Sequence, residues 1–396
     1  MNHTWLAIIA GGQGTRLFPY SHSERPKQFC QLNEQNKFIQ EVVKNFVNLG
    51  IKPTNIVVVT TNDNQSRLAI EQTLPRGVLS QNILQISQEA GYTNAMIEAS
   101  RFIYEHDNKA TVINTPSDQF IVADEDFRRT IFDAVQTAEG GSPVIVGVKI
   151  NDLTTAMGCG HAFYQETSET CHPFTSFVEK PNKEYADLIM RTGNSACNTG
   201  INVWRADTVL NPVPLTMAKN QGTAEFMLQL SGRAKEKNKN LMVAVGTFEW
   251  YDCGTLKSLY DISKKTPNHR NASLGGGQID RFECLDGLFL CDEGYRLHAV
   301  GCVGDAVIVS TIENRPIVAV INKAESARVK KLAEDFSHNR DLLVNDFSIM
   351  AHNNFVMRSN ISNDTIVCFV CVENYIVGTH RAEDGSIDVY VSKQRS

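Results

Sequence analysis

An apolar run near the start of the chain, Trp5-Leu-Ala-Ile-Ile9, leads straight into Ala10-Gly11-Gly12-Gln13-Gly14-Thr15-Arg16. The run reads as a buried β-strand. Three glycines then crowd the turn. With no Cβ in the way, their backbone N–H groups can close on phosphate oxygens. Arg16 follows at once and Pro26-Lys27 a short loop later, adding fixed positive charge for the same oxygens. The pattern predicts a nucleoside triphosphate over the end of the first strand, with Gly11, Gly12, Gly14 and Thr15 on the nucleotide and Arg16 and Lys27 on its phosphates.

Spacing excludes two common phosphate motifs. A P-loop needs GxxxxGK[ST], and no Lys-Ser or Lys-Thr follows these glycines. A dinucleotide fingerprint needs GxGxxG, and Gly12-Gln13-Gly14-Thr15-Arg16 ends in Leu17. The bland alternative is a tight βα turn with chance charges. Glycines, Arg and Pro-Lys occurring in order after a first strand argue against it.

Downstream, strands and helices alternate. Helical patterns cover Phe38–Val47, Ser66–Thr73, Asn94–Glu105 and Asp126–Ala138; strand patterns cover Ile56–Thr60, Asn82–Ser87, Thr111–Asn114 and Pro143–Gly147. This alternation predicts an α/β fold, a Rossmann-like, mostly parallel sheet flanked by helices. Ligands then sit beyond the carboxyl ends of the strands. A polar stretch, Lys264-Lys-Thr-Pro-Asn-His269, and Gly275-Gly-Gly277 mark a boundary. The expected domains are 1–265, catalytic, and 275–396, smaller and β-rich. In the second, strands are expected at Gly287–Cys291, Tyr295–Val300, Ala306–Thr311, Pro316–Ile321, Phe347–Met350, Thr365–Val372, Tyr375–Thr379 and Ile387–Val391, with a helix at Ala324–Asp335. No fixed period marks a solenoid. The last ~55 residues match no pattern that assigns them.

Composition narrows the function classes. The 396 residues suffice for two domains and a large core, and 42% hydrophobic and 21% charged residues are ordinary for a globular protein. A net charge of -6 gives no global basic field, so no nucleic-acid partner is expected. The basic run Arg233–Asn240 reads as a solvated helix end. No apolar run reaches membrane-spanning length, and the first residues lack signal-peptide features, so a cytoplasmic setting away from membranes is expected. The ten cysteines are scattered and read as reduced thiols. Cys368-Phe-Val-Cys371, a lone CxxC with no nearby His, reads as core.

The segment GGxGTRLxP…PKQF, as it stands here from Gly11 to Phe29, resembles the signature of the sugar-1-phosphate nucleotidyltransferases. Its PKQF ending is most similar to the mannose-1-phosphate guanylyltransferases, or GDP-mannose pyrophosphorylases. Asp118 in Asn114-Thr-Pro-Ser-Asp118 follows a strand, where a carboxylate is well placed to hold Mg²⁺ near a triphosphate. Trp250-Tyr-Asp252-Cys-Gly254-Thr resembles the family segment carrying a second metal-binding aspartate. The resemblance therefore implies Mg²⁺ on Asp118 and Asp252. Taken singly, each aspartate also reads as a turn or N-cap residue.

Phe177-Val-Glu179-Lys180-Pro181 matches the family's F-V-E-K-P box, which implies Lys180 on the sugar phosphate and Glu179 on sugar hydroxyls. Asn198-Thr-Gly200-Ile-Asn-Val-Trp204 resembles another sugar-side segment, with Asn198 as the sugar contact. Gly158-Cys-Gly160-His161 keeps the glycines of a G-Y-G-Y stretch but not its aromatics. Gly160 is expected over the sugar, and His161 is either a ligand contact or a loop residue. Gln88-Glu-Ala-Gly91-Tyr-Thr-Asn94 occupies the base-side segment E-P-x-G-R-N-T-A without its Pro and Arg. Gln88, Gly91 and Asn94 are assigned to the nucleotide on that basis.

The resemblance implies a nucleotidyltransferase fold and the reaction of an NTP with a sugar 1-phosphate to nucleotide-sugar and pyrophosphate, with GTP and mannose 1-phosphate as the pair. The altered segments leave open another NTP or phosphorylated acceptor. A non-catalytic nucleotide-sugar-binding regulator and a nucleotide-binding scaffold are the alternatives from other classes. The catalytic set implied is Arg16, Lys27, Asp118, Lys180 and Asp252. Relatives suggest a homo-oligomer. The tail has no H-x-H pair, so no fused isomerase is expected.

Overall fold

The computed structural model describes residues 3–12, 14–33, 35–87, 90–210, 222–312, 315–324, 329, 333, 356–358, 367–370, 375–382 and 386–393. They form two units, Met1–Gly11 with Ile39–Asp252, and Gly12–Phe38 with Cys253–Ser396. The chain thus passes from the first unit to the second immediately after Gly11, in the middle of the glycine turn.

The first unit is built on a nine-stranded sheet. Its strands are β1 (Thr4–Ile9), β2 (Ile56–Thr61), β3 (Ile83–Ile86), β4 (Thr111–Pro116), β6 (Val144–Val148), β7 (Gly160–Tyr164), β8 (Cys171–Glu179), β9 (Ser195–Arg205) and β10 (Met242–Gly246). A separate two-stranded ribbon pairs β5 (Phe120–Ile121) with β11 (Trp250–Tyr251). The sheet order is β3-β2-β1-β4-β9-β6-β10-β8-β7. Strands β1 to β4 are parallel, and β6 and β10 share their direction; β9 and β8 run against it. The expected mostly parallel sheet is present, with an antiparallel strand inserted at its centre and an antiparallel extension at one end.

Helices α1 (Phe38–Asn48), α2 (Asn64–Thr73), α3 (Gly91–His106), α4 (Glu125–Glu139), α5 (Leu153–Gly158), α6 (Lys183–Thr192), α7 (Ala206–Leu210) and α8 (Thr223–Glu236) join these strands, and α9 (Leu256–Ile262) follows them. Strand side chains alternate between faces. Ala7, Ile9, Val57, Val59 and Val112 share a core with Ala95, Ala99 and Ile103 of α3 and Phe226 and Leu230 of α8. Leu6 and Ile8 project to the other face and are also fully buried. Each is worth roughly 1.5–3 kcal/mol of burial. Such two-sided burial explains why β1 and β2 read as continuous apolar runs rather than alternating ones. Acid N-caps start the helices: Asp63 accepts from Ser66 N, Asp124 from Phe127 N and Asp152 from Thr155 N.

The second unit contains two sheets. Strands β12 (Ala272–Leu274), β14 (Leu288–Cys291), β16 (Asp305–Ile312), β17 (Arg315–Asn322), β19 (Val367–Val370) and β18 (Val356–Arg358) lie in that order in one. Strands β13 (Gln278–Phe282), β15 (Tyr295–Val300), β21 (Ile387–Lys393) and β20 (Tyr375–Arg381) form the other. The β-rich expectation holds, and the chain coils more regularly than its sequence discloses. Ala272 pairs in parallel with Leu288, and Leu288 in turn with Ala306. On the other sheet Gln278 likewise pairs in parallel with Arg296. These are stacked rungs, and the step from Ala272 to Leu288 is shorter than the step from Leu288 to Ala306, which is why no fixed period shows. The inward residues Phe289, Leu297, Val307, Val309, Val389 and Val391 form one core. The polar stretch expected as a boundary falls within this unit, and Ala272–Leu274 there is a strand. The tail left unassigned from sequence supplies β18 to β21. The expected strand Phe347–Met350 and most of the helix Ala324–Asp335 lie outside the described residues. Among the described residues, no helix is long and apolar enough to cross a membrane.

Candidate active site

In the first unit, three of the sequence segments meet at the carboxyl end of β4. The two-residue ribbon pairs Ile121 with Trp250 and Phe120 with Tyr251 in antiparallel register. Asp118 precedes β5 and Asp252 follows β11, so this register brings both aspartates to the same end of the ribbon. Trp250 Nε1 donates to Gln119 Oε1 at 2.6 Å, and Gln119 Nε2 donates to Thr115 Oγ1 at 2.8 Å, tying ribbon to β4. Gln119 is buried, Asp118 partly buried and Asp252 exposed. Sequence reasoning assigns Trp250 and Gln119 no part; their role as the ribbon's clasp rests on a pairing between distant segments.

The bulge of β9 at Asn198–Gly200 lies beside this end. A Cβ on Gly200 would stand 2.7 Å from Pro116 Cγ, and its φ is +77°, so only glycine fits both the conformation and the approach. Asn198 Oδ1 accepts from Gly200 N at 3.0 Å, which fixes the direction of the amide expected on the sugar. Tyr92 Oη donates to Gly200 O at 2.9 Å. Burial raises the Tyr92 phenol well above its usual pKa, and the Asp118 carboxylate raises it further. Tyr92 stands in the segment whose usual Pro and Arg are missing, and nothing local in that segment signals its contact with the Asn198–Gly200 bulge of β9. Gly91 opens α3 and is exposed. Asn94 uses its amide nitrogen on Ala90 O at 2.9 Å, in the manner of a helix residue. Gln88 lies outside the described residues.

The residues expected on the sugar are brought together by β7, β8 and β9. Gly160 pairs with Glu179 and His161 with Cys197, which precedes Asn198. A Cβ on Gly160 would stand 2.4 Å from Phe177 Cζ and 2.9 Å from Glu179 Oε2. Lys180 N donates to Cys159 O at 3.2 Å, and Lys180 Nζ lies 3.9 Å from Glu179 Oε1. Lys180 has φ +41°, a left-handed conformation that costs a non-glycine residue of order 1 kcal/mol. Its ammonium and the Glu179 carboxylate are largely exposed. His161 is a strand residue, 1% exposed, with Nε2 on Ala156 O at 2.8 Å, so it belongs to the packing rather than to a loop.

One expectation is overturned here. Cys159, just before β7, and Cys197 on β9 are joined as a disulfide, with Cα atoms 6.0 Å apart. The expectation of reduced thiols fails for this pair because the two stand 38 residues apart in sequence, and strand pairing alone brings them together. Cys30, Cys171, Cys253, Cys284, Cys291 and Cys302 are buried and in no disulfide.

The second unit holds the rest of the signature. Gly14 has φ +66° and opens the turn Thr15–Leu17. A Cβ there would stand 2.4 Å from Lys27 Cβ and 3.3 Å from Ser21 Oγ. The glycine therefore packs directly on the PKQF box, and Ser21 Oγ donates to Gly14 O. Lys27 is 3% exposed, with its ammonium 5.3 Å from the Phe38 ring centre, whereas Arg16 is exposed. Gly11, in the first unit, lies against Thr61.

The nucleotidyl transferase family profile matches residues 6–269. The chain belongs to the nucleotidyl transferase family. This transferase is 25% identical over 358 residues to a protein of Sinorhizobium fredii named mannose-1-phosphate guanylyltransferase, covering 83% of this chain and 68% of that one. It is 26% identical over 365 residues to mannose-1-phosphate guanylyltransferase 2 of Escherichia coli O157:H7, covering 83% and 72%. Its fold resembles a solved structure from Thermus thermophilus, described as a mannose-1-phosphate geranyltransferase. That likeness has a TM-score of 0.66 and 19% identity, over 85% of this chain and 99% of the other.

Among the described residues of the transferase, no three His, Cys, Asp or Glu side chains gather as a metal centre. The two aspartates at one ribbon end are the donors that fit a hard divalent ion. Mg²⁺ commonly takes one or two carboxylates and completes its shell with water and substrate phosphates.

Proposed function

We propose that this transferase moves a nucleoside monophosphate from an NTP to a sugar 1-phosphate, with GTP and mannose 1-phosphate as its pair, and releases pyrophosphate. The observation that carries the reading is the β5/β11 ribbon, whose register puts Asp118 and Asp252 at one end beside the Asn198–Gly200 bulge of β9. Names of relatives at 25% and 26% identity favour the mannose and guanosine assignment.

In this reading a phosphate oxygen of the sugar 1-phosphate attacks the α-phosphorus of the NTP in line, and the bond to the pyrophosphate oxygen breaks. The attacking oxygen is already anionic at neutral pH, so no general base is required. The barrier falls because two polyanions are held together and their charge is countered. Lys180, exposed and beside Glu179, holds the attacking phosphate, and Glu179 and Asn198 hold sugar hydroxyls. Gly160 lets the sugar approach the backbone. Arg16 and Lys27 counter charge on the departing pyrophosphate, and the glycine turn from Gly11 to Thr15 binds the nucleotide. Mg²⁺, when bound by Asp118 and Asp252, supplies charge neutralisation and orients both phosphates. Gly91 and Asn94 lie on the base side.

The test is pyrophosphate release with Mg²⁺ across the common NTPs, each paired with mannose 1-phosphate and glucose 1-phosphate. Turnover confined to GTP with mannose 1-phosphate supports the full assignment. Turnover with another pair retains the reaction and replaces the substrates. A folded protein that releases pyrophosphate with none refutes the reading.

A further inference from the structure

The main-chain bonds of the loop that carries Gly14 and Lys27 are local, each spanning three or four residues. Leu17 N donates to Gly14 O at 3.1 Å, Tyr20 N to Leu17 O at 2.8 Å, and His22 and Arg25 exchange a pair of bonds. The Arg25 guanidinium adds a link that is not local. Arg25 Nε and Nη2 donate to Tyr20 O at 3.1 and 2.7 Å, and the group lies 5.2 Å from the Tyr20 ring centre. The same guanidinium reaches two rungs of the β-coil. Nη1 lies 2.7 Å from Asp292 Oδ1, just past β14, and Nη2 donates to Ser310 Oγ at 3.0 Å, on β16.

Both coil residues are themselves fixed. Asp292 N donates to Val309 O at 3.0 Å, and Ser310 is fully buried. The Asp292 side chain is 14% exposed and that of Arg25 26%. A charge pair so sheltered resists screening, and guanidinium geometry holds several acceptors at once. Pro26 follows with φ −54°, and Lys27 comes next, its Cβ against Gly14. The position of Arg25 therefore sets where Lys27 meets the glycine turn.

We propose that Asp292 and Ser310 are positioning residues for the triphosphate-binding loop, acting through Arg25 to seat Lys27 on Gly14. The β-coil is then a working part of nucleotide recognition rather than an appended module. The inference rests on the proposed function in assigning the loop to the triphosphate; the anchor itself rests on the contacts above.

The test uses the full-length protein and two readouts. The first is amide hydrogen exchange of peptides spanning 14–30, and the second is the KM for each substrate alongside kcat. In Asp292→Asn, loop exchange should rise at least about ten-fold, because the amide can still accept from Arg25 but no longer compensates its sheltered charge. Exchange in β1, β2 and β4 should stay unchanged. The KM for NTP should rise about ten-fold or more by the same loss, with the KM for sugar 1-phosphate within about two-fold. Asp292→Glu, which keeps the carboxylate, should recover much of the NTP affinity. Ser310→Ala removes one bond and should give the same pattern at about a few-fold. It carries the comparison if Asp292→Asn does not fold. Unchanged loop exchange overturns the anchor, and raised loop exchange with an unchanged NTP KM overturns the positioning role. A wild-type protein that releases no pyrophosphate refutes the reaction instead, and loop exchange then decides the anchor alone.

Discussion

Gly14→Ala is the most searching single perturbation of the signature. Its backbone, at φ +66° and ψ 30°, is left-handed, which costs an alanine about 1–2 kcal/mol. The added methyl would stand 2.4 Å from Lys27 Cβ and 3.4 Å from Lys27 Cα. Ordinary contact between carbons is about 3.5–4.0 Å, so Lys27 must retreat by roughly 1 Å. Its Cβ and backbone cannot swing aside as the tip of a flexible chain would. Overpacking of this kind costs about 1–3 kcal/mol, so total destabilisation is about 2–5 kcal/mol. A misplacement near 1 Å costs about 10²-fold in rate when it disturbs a reacting geometry. Urea denaturation would read the first effect and pyrophosphate release the second. A Gly14→Ala enzyme as stable as wild type, with kcat/KM within about three-fold, would refute the account of the loop as a close fit between turn and lysine.

On the proposed reading, Asp252→Ala and Asp118→Asn should each lower kcat by about 10²-fold or more with folding intact, since each loses a carboxylate that would hold the Mg²⁺ countering phosphate charge; circular dichroism with steady-state kinetics checks both. Burial, and then the Arg25 charge, push the His22 imidazole down from 6.5 to about 4, with Glu24 and Asp292 opposing. The unfolded chain takes up a proton below pH 6.5 that the folded one refuses. Stability from this residue is therefore complete above pH 6.5 and falls by about 3 kcal/mol as the pH drops to 4. Urea midpoints across that range should fall less steeply in His22→Gln, and equal slopes would sink the assignment. Reduction of the Cys159–Cys197 disulfide, which closes a 38-residue separation, should cost up to about 4 kcal/mol. Midpoints with and without dithiothreitol test this, with Cys159→Ser as the control that should no longer respond.

Local signals in the sequence carry the first unit as far as Gly147. Short apolar runs such as Trp5–Ile9 and amphipathic stretches such as Phe38–Val47 have their period written into neighbouring residues, and the strands and helices appear within a few residues of expectation. What depends on distant pairing is not legible. Neither strand in the Trp250–Gln119 clasp announces its partner, and each is two residues long. The Cys159–Cys197 bond and the Tyr92–Gly200 contact likewise join positions that only the folded sheet brings together. The coil rungs hide because successive turns, from Ala272 to Leu288 and from Leu288 to Ala306, differ in length. Nothing near Arg25 in sequence signals its role, because its partners stand far along the chain.

That distance sets the order of events during synthesis. Arg25 and Ser310 are separated by 285 residues. At about 5–20 residues per second, a ribosome needs about 15–60 s to deliver the serine after the arginine. Through that interval the strands of the first sheet can pair while the glycine-lysine loop, already translated, waits for the rungs that secure it. Nascent chains released early should carry a folded sheet and an unfinished nucleotide loop, so competence for catalysis comes late and nearly all at once.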